Sequence, residues 1–363
     1  MKNDPVIYRP WSPRILSRSI KEYKAGKIPV LNLDLTAKCT FCSCLYCDSK
    51  VGSPYPNELT MKEVEPLIKG LHKFYGLKWI FICGLGEPFQ DPKLFKIFEL
   101  AKKLDLEISF FTNGLGFKKE DVKKLKKFPV NFILKLDSFN PKTFDTILNR
   151  RGSASKIYDF LETLIKDGFL KVKNGETNLA LSIVPTKLNV SEISEVLNFC
   201  KEHKIFPAIG EMELSNRALI NFEKLSLSRK KLISLKKRAG QILGQKYERP
   251  LCPGIIPSIH ITNVGDCVVH GKTGLSCGWF FMNEVKYEII GNIKKNSLDF
   301  LMKNISDCRQ LRKSKTISML KKHNPVFGGG GGITKNWHKM YSNLFKNKRL
   351  VVRPSFYLLK TRH

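Results

Sequence analysis

With 363 residues, 42% of them hydrophobic, the chain can bury one large core and a smaller one beside it. It has no run near the roughly 20 apolar residues that a membrane-spanning helix needs, and its opening Met1-Lys2-Asn3-Asp4-Pro5 lacks the apolar stretch of a signal peptide. The sequence therefore predicts a cytoplasmic protein with no membrane partner. Its 63 Lys and Arg against 32 Asp and Glu give a net charge of +31, which admits an anionic partner such as RNA, but Lys102-Lys103, Lys123-Lys124 and Lys126-Lys127 suit solvated helix faces equally well.

Residues 1–27 are polar and basic, and Pro5, Pro10 and Pro13 argue against a long helix before Ser17, so this stretch reads as a basic surface arm. From Pro29 onward, short apolar runs alternate with longer segments of helical period. Strands are predicted over 30–35, 79–83, 107–112, 131–136, 178–184 and 206–209, with helices over 60–75, 92–104, 118–126, 153–167 and 190–203. Thr60 ahead of Glu63 resembles a capping box, and Asp91-Pro92 places an acceptor before a first-turn proline. Six strand–helix units of this kind predict an α/β fold, a partial (βα)6 TIM-like barrel, with its active site at the C-terminal ends of the strands.

Chemistry concentrates after the first strand, where Cys39, Cys42, Cys44 and Cys47 fall within nine residues. In a reducing compartment such a cluster reads as metal ligands rather than disulfides. After the second strand, Ile82-Cys83-Gly84-Leu85-Gly86-Glu87-Pro88 offers glycines that let backbone approach a ligand closely and a proline that fixes the exit. Read alone, Glu87 is a cap or a solvated carboxylate, Asp137 a strand-end turn residue, and Cys83 and Cys200 small core residues.

Together these stretches resemble the radical S-adenosylmethionine (radical SAM) superfamily. The matching segments are Thr36-Ala37-Lys38-Cys39, Cys44-Leu45-Tyr46-Cys47, Gly84-Leu85-Gly86-Glu87-Pro88, Phe111-Thr112-Asn113-Gly114 and Lys135-Leu136-Asp137-Ser138, in order on successive strands across residues 28–210. The family spaces its cluster cysteines CX3CX2C; here Cys39, Cys44 and Cys47 give CX4CX2C with Tyr46 in the aromatic place. Cys42 can replace Cys44, at the loss of the Cys-x-Tyr-Cys half. The resemblance implies a 4Fe-4S cluster on three thiolates, with the open iron chelating S-adenosylmethionine, and one electron from an external reductant cleaving the sulfonium to a 5′-deoxyadenosyl radical. It also implies that Gly84, Gly86, Glu87 and Pro88 line the methionine amine, and that Lys135, Asp137 or Ser138 meets the carboxylate or ribose. Tyr46 would lie near the adenine, with Thr112 and Asn113 also in the cofactor site. The competing reading of residues 39–47 is a closed zinc site.

Beyond residue 210 the alternation decays, and 221–245 reads as a helix leading out of a barrel domain spanning 28–248. In 249–322, Cys252, Cys267, Cys277 and Cys308 accompany a strand and hairpin turn over 259–266, with His260 as a strand-face residue, and Ile290-Gly291-Asn292-Ile293 before a helix at 297–302. This resembles the small α+β SPASM or twitch extension of radical SAM proteins, and the resemblance implies one auxiliary iron–sulfur cluster on those four cysteines, with His270 as a possible substitute. The last segment, 323–363, opens on the five glycines 328–332 and continues with Trp337, Tyr341, Phe345, Phe356 and Tyr357 among Lys and Arg, a pattern that serves a hinge and either a docked helix or a single-stranded nucleic-acid contact. The leading expectation is a radical SAM enzyme acting on a peptide or protein side chain. The alternatives are an RNA-modifying radical SAM enzyme and a non-catalytic zinc protein that binds nucleic acid.

Overall fold

The computed structural model describes residues 6–40, 43–47, 51–82, 85–210, 212, 216–244, 258–270 and 287–310. Six strands, β1 (Val30–Leu33), β2 (Trp79–Ile82), β3 (Glu107–Thr112), β4 (Val130–Lys135), β5 (Leu179–Ile183) and β6 (Phe206–Ile209), pair in parallel in that order. The helices between them are α2 (Met61–Tyr75), α3 (Lys93–Lys103), α4 (Lys119–Leu125), α5 (Pro141–Leu148), α6 (Ser153–Lys166) and α7 (Ile193–Glu202), and α1 (Pro13–Lys24) precedes them all. This is the mixed α/β parallel architecture expected of the partial barrel.

Local chemistry explains where helices start. The Glu63 carboxylate accepts from Thr60 N at 2.6 Å, closing the expected capping box, and Gly76 ends α2 at φ 68°. Helix α5 falls outside the expected set, although Asn140 accepts from Lys142 N and Pro141 supplies a pre-formed first turn.

The strands are apolar on both faces, as a covered parallel sheet requires. Leu31, Leu33, Ile80, Ile108, Phe110, Phe132 and Leu134 pack outward against the helices. Val30, Trp79, Phe81, Ile133, Ala180, Phe206 and Ala208 face inward and share a cluster with Tyr8, Trp11 and Ile15. Because β1 and β6 both reach that one cluster, the sheet curls around it. Trp11 meets Tyr8 and Phe206 edge-on at 4.9 and 5.9 Å, so the N-terminal segment closes the base of the barrel. It is therefore not the surface arm that its prolines suggest; Pro10 lies in a single 3-10 turn and Pro13 opens α1.

After β6 come α8 (Asn216–Ile220), α9 (Phe222–Leu225) and α10 (Arg229–Leu243), so the single helix expected over 221–245 is broken around Ser226-Leu227-Ser228, where Ser228 caps α10. Strand β7 (Ser258–Ile261) then joins β1 in parallel, and β8 (Asp266–His270) and β9 (Tyr287–Asn292) follow antiparallel, with α11 (Leu298–Gln310) beyond. Among the described residues the resulting sheet has nine strands and runs β9-β8-β7-β1-β2-β3-β4-β5-β6. The expected hairpin is present, and it extends the barrel sheet rather than standing apart from it.

Candidate active site at the C-terminal ends of the strands

The described residues of the loop after β1 are stitched down by hydrogen bonds. Glu58 accepts from Thr36 Oγ1 at 2.8 Å, Ala37 N at 2.6 Å, Tyr55 N at 3.1 Å and Asn263 Nδ2 at 2.9 Å. Burial pushes this carboxyl up, but the four donors outweigh it and hold Glu58 below the usual carboxylate range. Cys39 N donates to Gly52 O at 2.9 Å, and Gln90 Oε1 accepts from Thr40 Oγ1 at 2.9 Å. Arg150 donates to Thr40 O at 2.9 Å, and Leu45 N to Ile147 O at 2.9 Å, which ties the loop to the end of α5. On the far side Asn221 Nδ2 donates to Leu45 O at 3.0 Å, and Arg217 N to Cys47 O at 3.2 Å. Cys39, Cys44 and Cys47 stand half-buried on this pinned loop. Cys42 lies outside the described residues, as do Cys83 and Gly84.

The turn after β2 packs directly onto that loop. A Cβ on Gly86 would lie 2.5 Å from both Thr36 O and Lys38 O, so only glycine fits. Glu87 N donates to Lys38 O at 2.8 Å. The Glu87 side chain is buried and accepts from Thr112 Oγ1 at 2.6 Å, Asn113 N at 2.7 Å and Phe89 N at 3.2 Å. Burial pushes its carboxyl up to about 7 against the pull of these donors. Glu87 thus caps the Pro88–Gln90 turn, as its sequence alone allows, and also ties the turns after β2 and β3 together; being buried, it is not a solvated carboxylate. Beside it, Leu35, Thr36, Gly86, Pro88 and Phe111 line a small open pocket.

Across the barrel mouth, Lys135 Nζ lies 2.7 Å from Asp137 Oδ2, which also accepts from Tyr46 OH at 2.5 Å. Lys135 contacts the Tyr46 hydroxyl and lies 4.0 Å from the ring centroid. Asp137 is fixed from behind by Val184 N at 2.8 Å, while Asn189 Nδ2 donates to its backbone carbonyl at 2.9 Å. The structure therefore assembles Tyr46, Lys135 and Asp137 as one unit, and Glu87, Thr112 and Asn113 as another beside Cys39. Ser138 turns away, its hydroxyl contacting Glu192 and accepting from Asn140 N at 2.8 Å.

Among the described residues no three Cys, His, Asp or Glu side chains stand close enough together to hold a metal ion. The donor chemistry fits an iron–sulfur cluster, because three soft thiols share one loop whose described residues are held by hydrogen bonds, and Cys39 Sγ has the Asn113 amide 3.8 Å away. The auxiliary set fares differently. Cys267 is fully buried among the apolar side chains of the main core, and burial above all pushes its thiol up to about 12. It is a core residue in this fold. Cys308 lies along α11, His270 ends β8, and Cys252, Cys277 and residues 311–363, including the glycine run and aromatic tail, lie outside the described residues. Cys200 is buried as expected.

Sequence reasoning missed Glu58, Gln90, Arg150 and Asn221, whose roles rest on partners distant in sequence. It also missed what His260 faces. Its Nε2 lies 3.0 Å from Asp34 Oδ1, both side chains buried on the barrel's inner face, a contact that is an ion pair when His260 is protonated.

Fold and site together define a partial α/β barrel built around a thiol-bearing cofactor loop. Residues 33–200 match the radical SAM superfamily. A probable GTP 3′,8-cyclase of Methanococcus vannielii is 28% identical over 186 residues, covering 50% of this chain and 58% of that protein. The sporulation killing factor maturation protein SkfB of Bacillus subtilis is 26% identical over 235 residues, covering 62% of this chain and 52% of that one. Crystal structures of Streptococcus suis SuiB align with TM-scores of 0.55 when bound to S-adenosylmethionine and 0.51 when bound to the precursor peptide SuiA. Identities are 18% and 16%, and the alignments cover 77% and 78% of this chain and 67% of each SuiB chain. The chain thus spans between half and three-fifths of the length of these two curated relatives. Residues 33–200 thus form a radical SAM superfamily region, and the matched relatives are named as enzymes or maturation proteins, which counts against the non-catalytic zinc reading.

Proposed function

We propose that this protein reductively cleaves S-adenosylmethionine and uses the resulting 5′-deoxyadenosyl radical to abstract hydrogen from a peptide or protein side chain. The observation that carries the reading is the junction of Cys39, Gly86, Glu87 and Asn113, where the thiol loop and the glycine turn are in backbone contact. Cys39, Cys44 and Cys47 would hold a 4Fe-4S cluster, which supplies one-electron reduction of the sulfonium. Thr36, Gly86 and Pro88 would receive the methionyl end, while Lys135, oriented by Asp137, would offer its ammonium to the carboxylate or ribose hydroxyls and Tyr46 its ring to the adenine. The buried inner-face cluster beneath would help to keep water from the site.

The peptide substrate is favoured by a relative named as a maturation protein and by a fold neighbour bound to a precursor peptide. A nucleotide or RNA substrate is the second reading, favoured by the net charge of +31 and by a relative named as a GTP cyclase. An auxiliary cluster in the C-terminal segment, drawing on Cys252, Cys277, Cys308 and His270, an external one-electron reductant and a cytoplasmic setting complete the proposal.

The test is anaerobic reconstitution followed by mass spectrometry of deuterium transfer from labelled candidate peptides or RNA into 5′-deoxyadenosine. A brown protein with iron and sulfide that yields 5′-deoxyadenosine is expected, and a colourless protein holding only zinc overturns the reading. Cys39→Ala, Cys44→Ala and Cys47→Ala should each abolish cleavage while Cys42→Ala preserves it; the reverse result for positions 42 and 44 would exchange those two ligands.

A further inference from the structure

Asn113 does more than follow β3. Its backbone N–H donates to Glu87 Oε2 at 2.7 Å, which fixes the residue against a buried carboxyl. Its side-chain Oδ1 accepts from Leu115 N at 2.7 Å. That contact decides the orientation of the amide, because a backbone N–H needs an acceptor opposite it and the NH2 group cannot serve. The Nδ2 end is left pointing at Cys39 Sγ, 3.8 Å away. Neighbouring contacts hold the same turn: Gly114 N donates to Thr112 Oγ1 at 2.9 Å, and Thr112 Oγ1 to Glu87 Oε1 at 2.6 Å. A Cβ on Gly114 would strike Phe160 at 2.6 Å, so the turn has little room to move. Asn113 is itself buried, which strengthens a hydrogen bond to sulfur by excluding competing water.

We propose that Asn113 is a positioning residue that sets the reduction potential of the S-adenosylmethionine-binding cluster, by donating a fixed N–H···S hydrogen bond to the Cys39 thiolate. The inference rests on the reading of Cys39 as a cluster ligand. A donor to a ligand sulfur withdraws electron density and stabilises the reduced, more negative cluster, raising its potential; hydrogen bonds to sulfur are among the principal controls on such potentials. The geometry separates this role from a contact to S-adenosylmethionine, since it is complete within the protein and acts whether or not the cofactor is present.

The experiment is an EPR-monitored redox titration of the reconstituted full-length protein without S-adenosylmethionine, comparing wild type with Asn113→Leu and Asn113→Ser. Leucine keeps the volume and removes both polar ends. Serine keeps an acceptor within reach of Leu115 N but is too short to reach Cys39. The site cluster is identified as the signal that Cys39→Ala removes and that adding S-adenosylmethionine perturbs. Both variants should bind iron and sulfide at the wild-type ratio and show that signal at a more negative midpoint. Wild-type midpoints in both variants, with the cluster intact, overturn the inference, as does a shift in Asn113→Leu alone, which would trace it to the lost Leu115 contact. A wild-type protein that forms no such cluster overturns this inference and the cluster reading together. A cluster signal that S-adenosylmethionine still perturbs in Cys39→Ala overturns the choice of Cys39 and, with it, the role of Asn113.

Discussion

The carboxyl at position 87 is buried, and three donors converge on it. The donors favour the ionised form, burial favours the neutral one, and burial prevails, lifting the group to about 7. Because the folded pKa lies above the unfolded one, the folded state binds the extra proton between about 4.5 and 7. The stability linked to Glu87 is complete below that window and is lost as pH rises through 7, up to an order of 3 kcal/mol in total. Denaturation of the cluster-free protein across pH 4.5–8 should show this loss, and Glu87→Gln should flatten it. Equal slopes in the two proteins would show that Glu87 is not the titrating group. Gly86 and Glu87 were legible only through the Gly84–Pro88 pattern that resembles the superfamily, because the groups that hold them, Thr36, Lys38, Thr112 and Asn113, lie elsewhere in the chain. Glu58, Arg150 and Asn221 were not, because each acts on a loop 21, 110 or 176 residues away and nothing in their own neighbourhood marks them.

At the scale of elements, the six parallel strands were readable from their apolar runs, whereas α5 was too short to show a helical period and the N-terminal helix was hidden by its prolines. The seam between β1 and β7 was invisible, since parallel pairing across more than 200 residues leaves no local trace. Along that seam Asn32 Nδ2 donates to Ser258 Oγ at 2.8 Å, and Asp34 N to Ile261 O at 3.0 Å, with the His260–Asp34 pair beside them. Burial pulls the His260 imidazole down, but the Asp34 charge and contact outweigh it and raise the group above its ordinary value. The pair's contribution is therefore full below about pH 6.5 and is lost as pH climbs through the folded pKa. Hydrogen exchange of residues 258–261, corrected for its intrinsic pH dependence, should accelerate above that point in wild type. The pH dependence should vanish in His260→Gln, and protection that stays constant with pH in wild type would remove the ion pair as the cause.

For the molecule as a whole, the two ends of the described chain close the same sheet from different sides. Residues 258–270 cover the β1 edge, which would otherwise offer a ready pairing strand, and residues 7–24 fill the barrel base. Trp11 is the centre of that base, 7% exposed and edge-on to both Tyr8 and Phe206, so it couples the N-terminal segment to β6 on the far side of the curl. Arg9, 2.6 Å from Glu107, adds a partly exposed ion pair of small worth. Removing a buried indole costs its transfer energy plus that of the cavity left behind, and a site enclosed by strand residues cannot collapse freely. Trp11→Ala should lower unfolding stability by roughly 3–5 kcal/mol, against less than about 1 kcal/mol for Arg9→Ala, as read from denaturant midpoints at unchanged slope. The damage lies at the opposite end of the barrel from Cys39, Cys44 and Cys47, so Trp11→Ala should still take up iron and sulfide at the wild-type ratio below its unfolding transition. A Trp11→Ala protein as stable as Arg9→Ala would show that the N-terminal segment does not pack beneath the sheet.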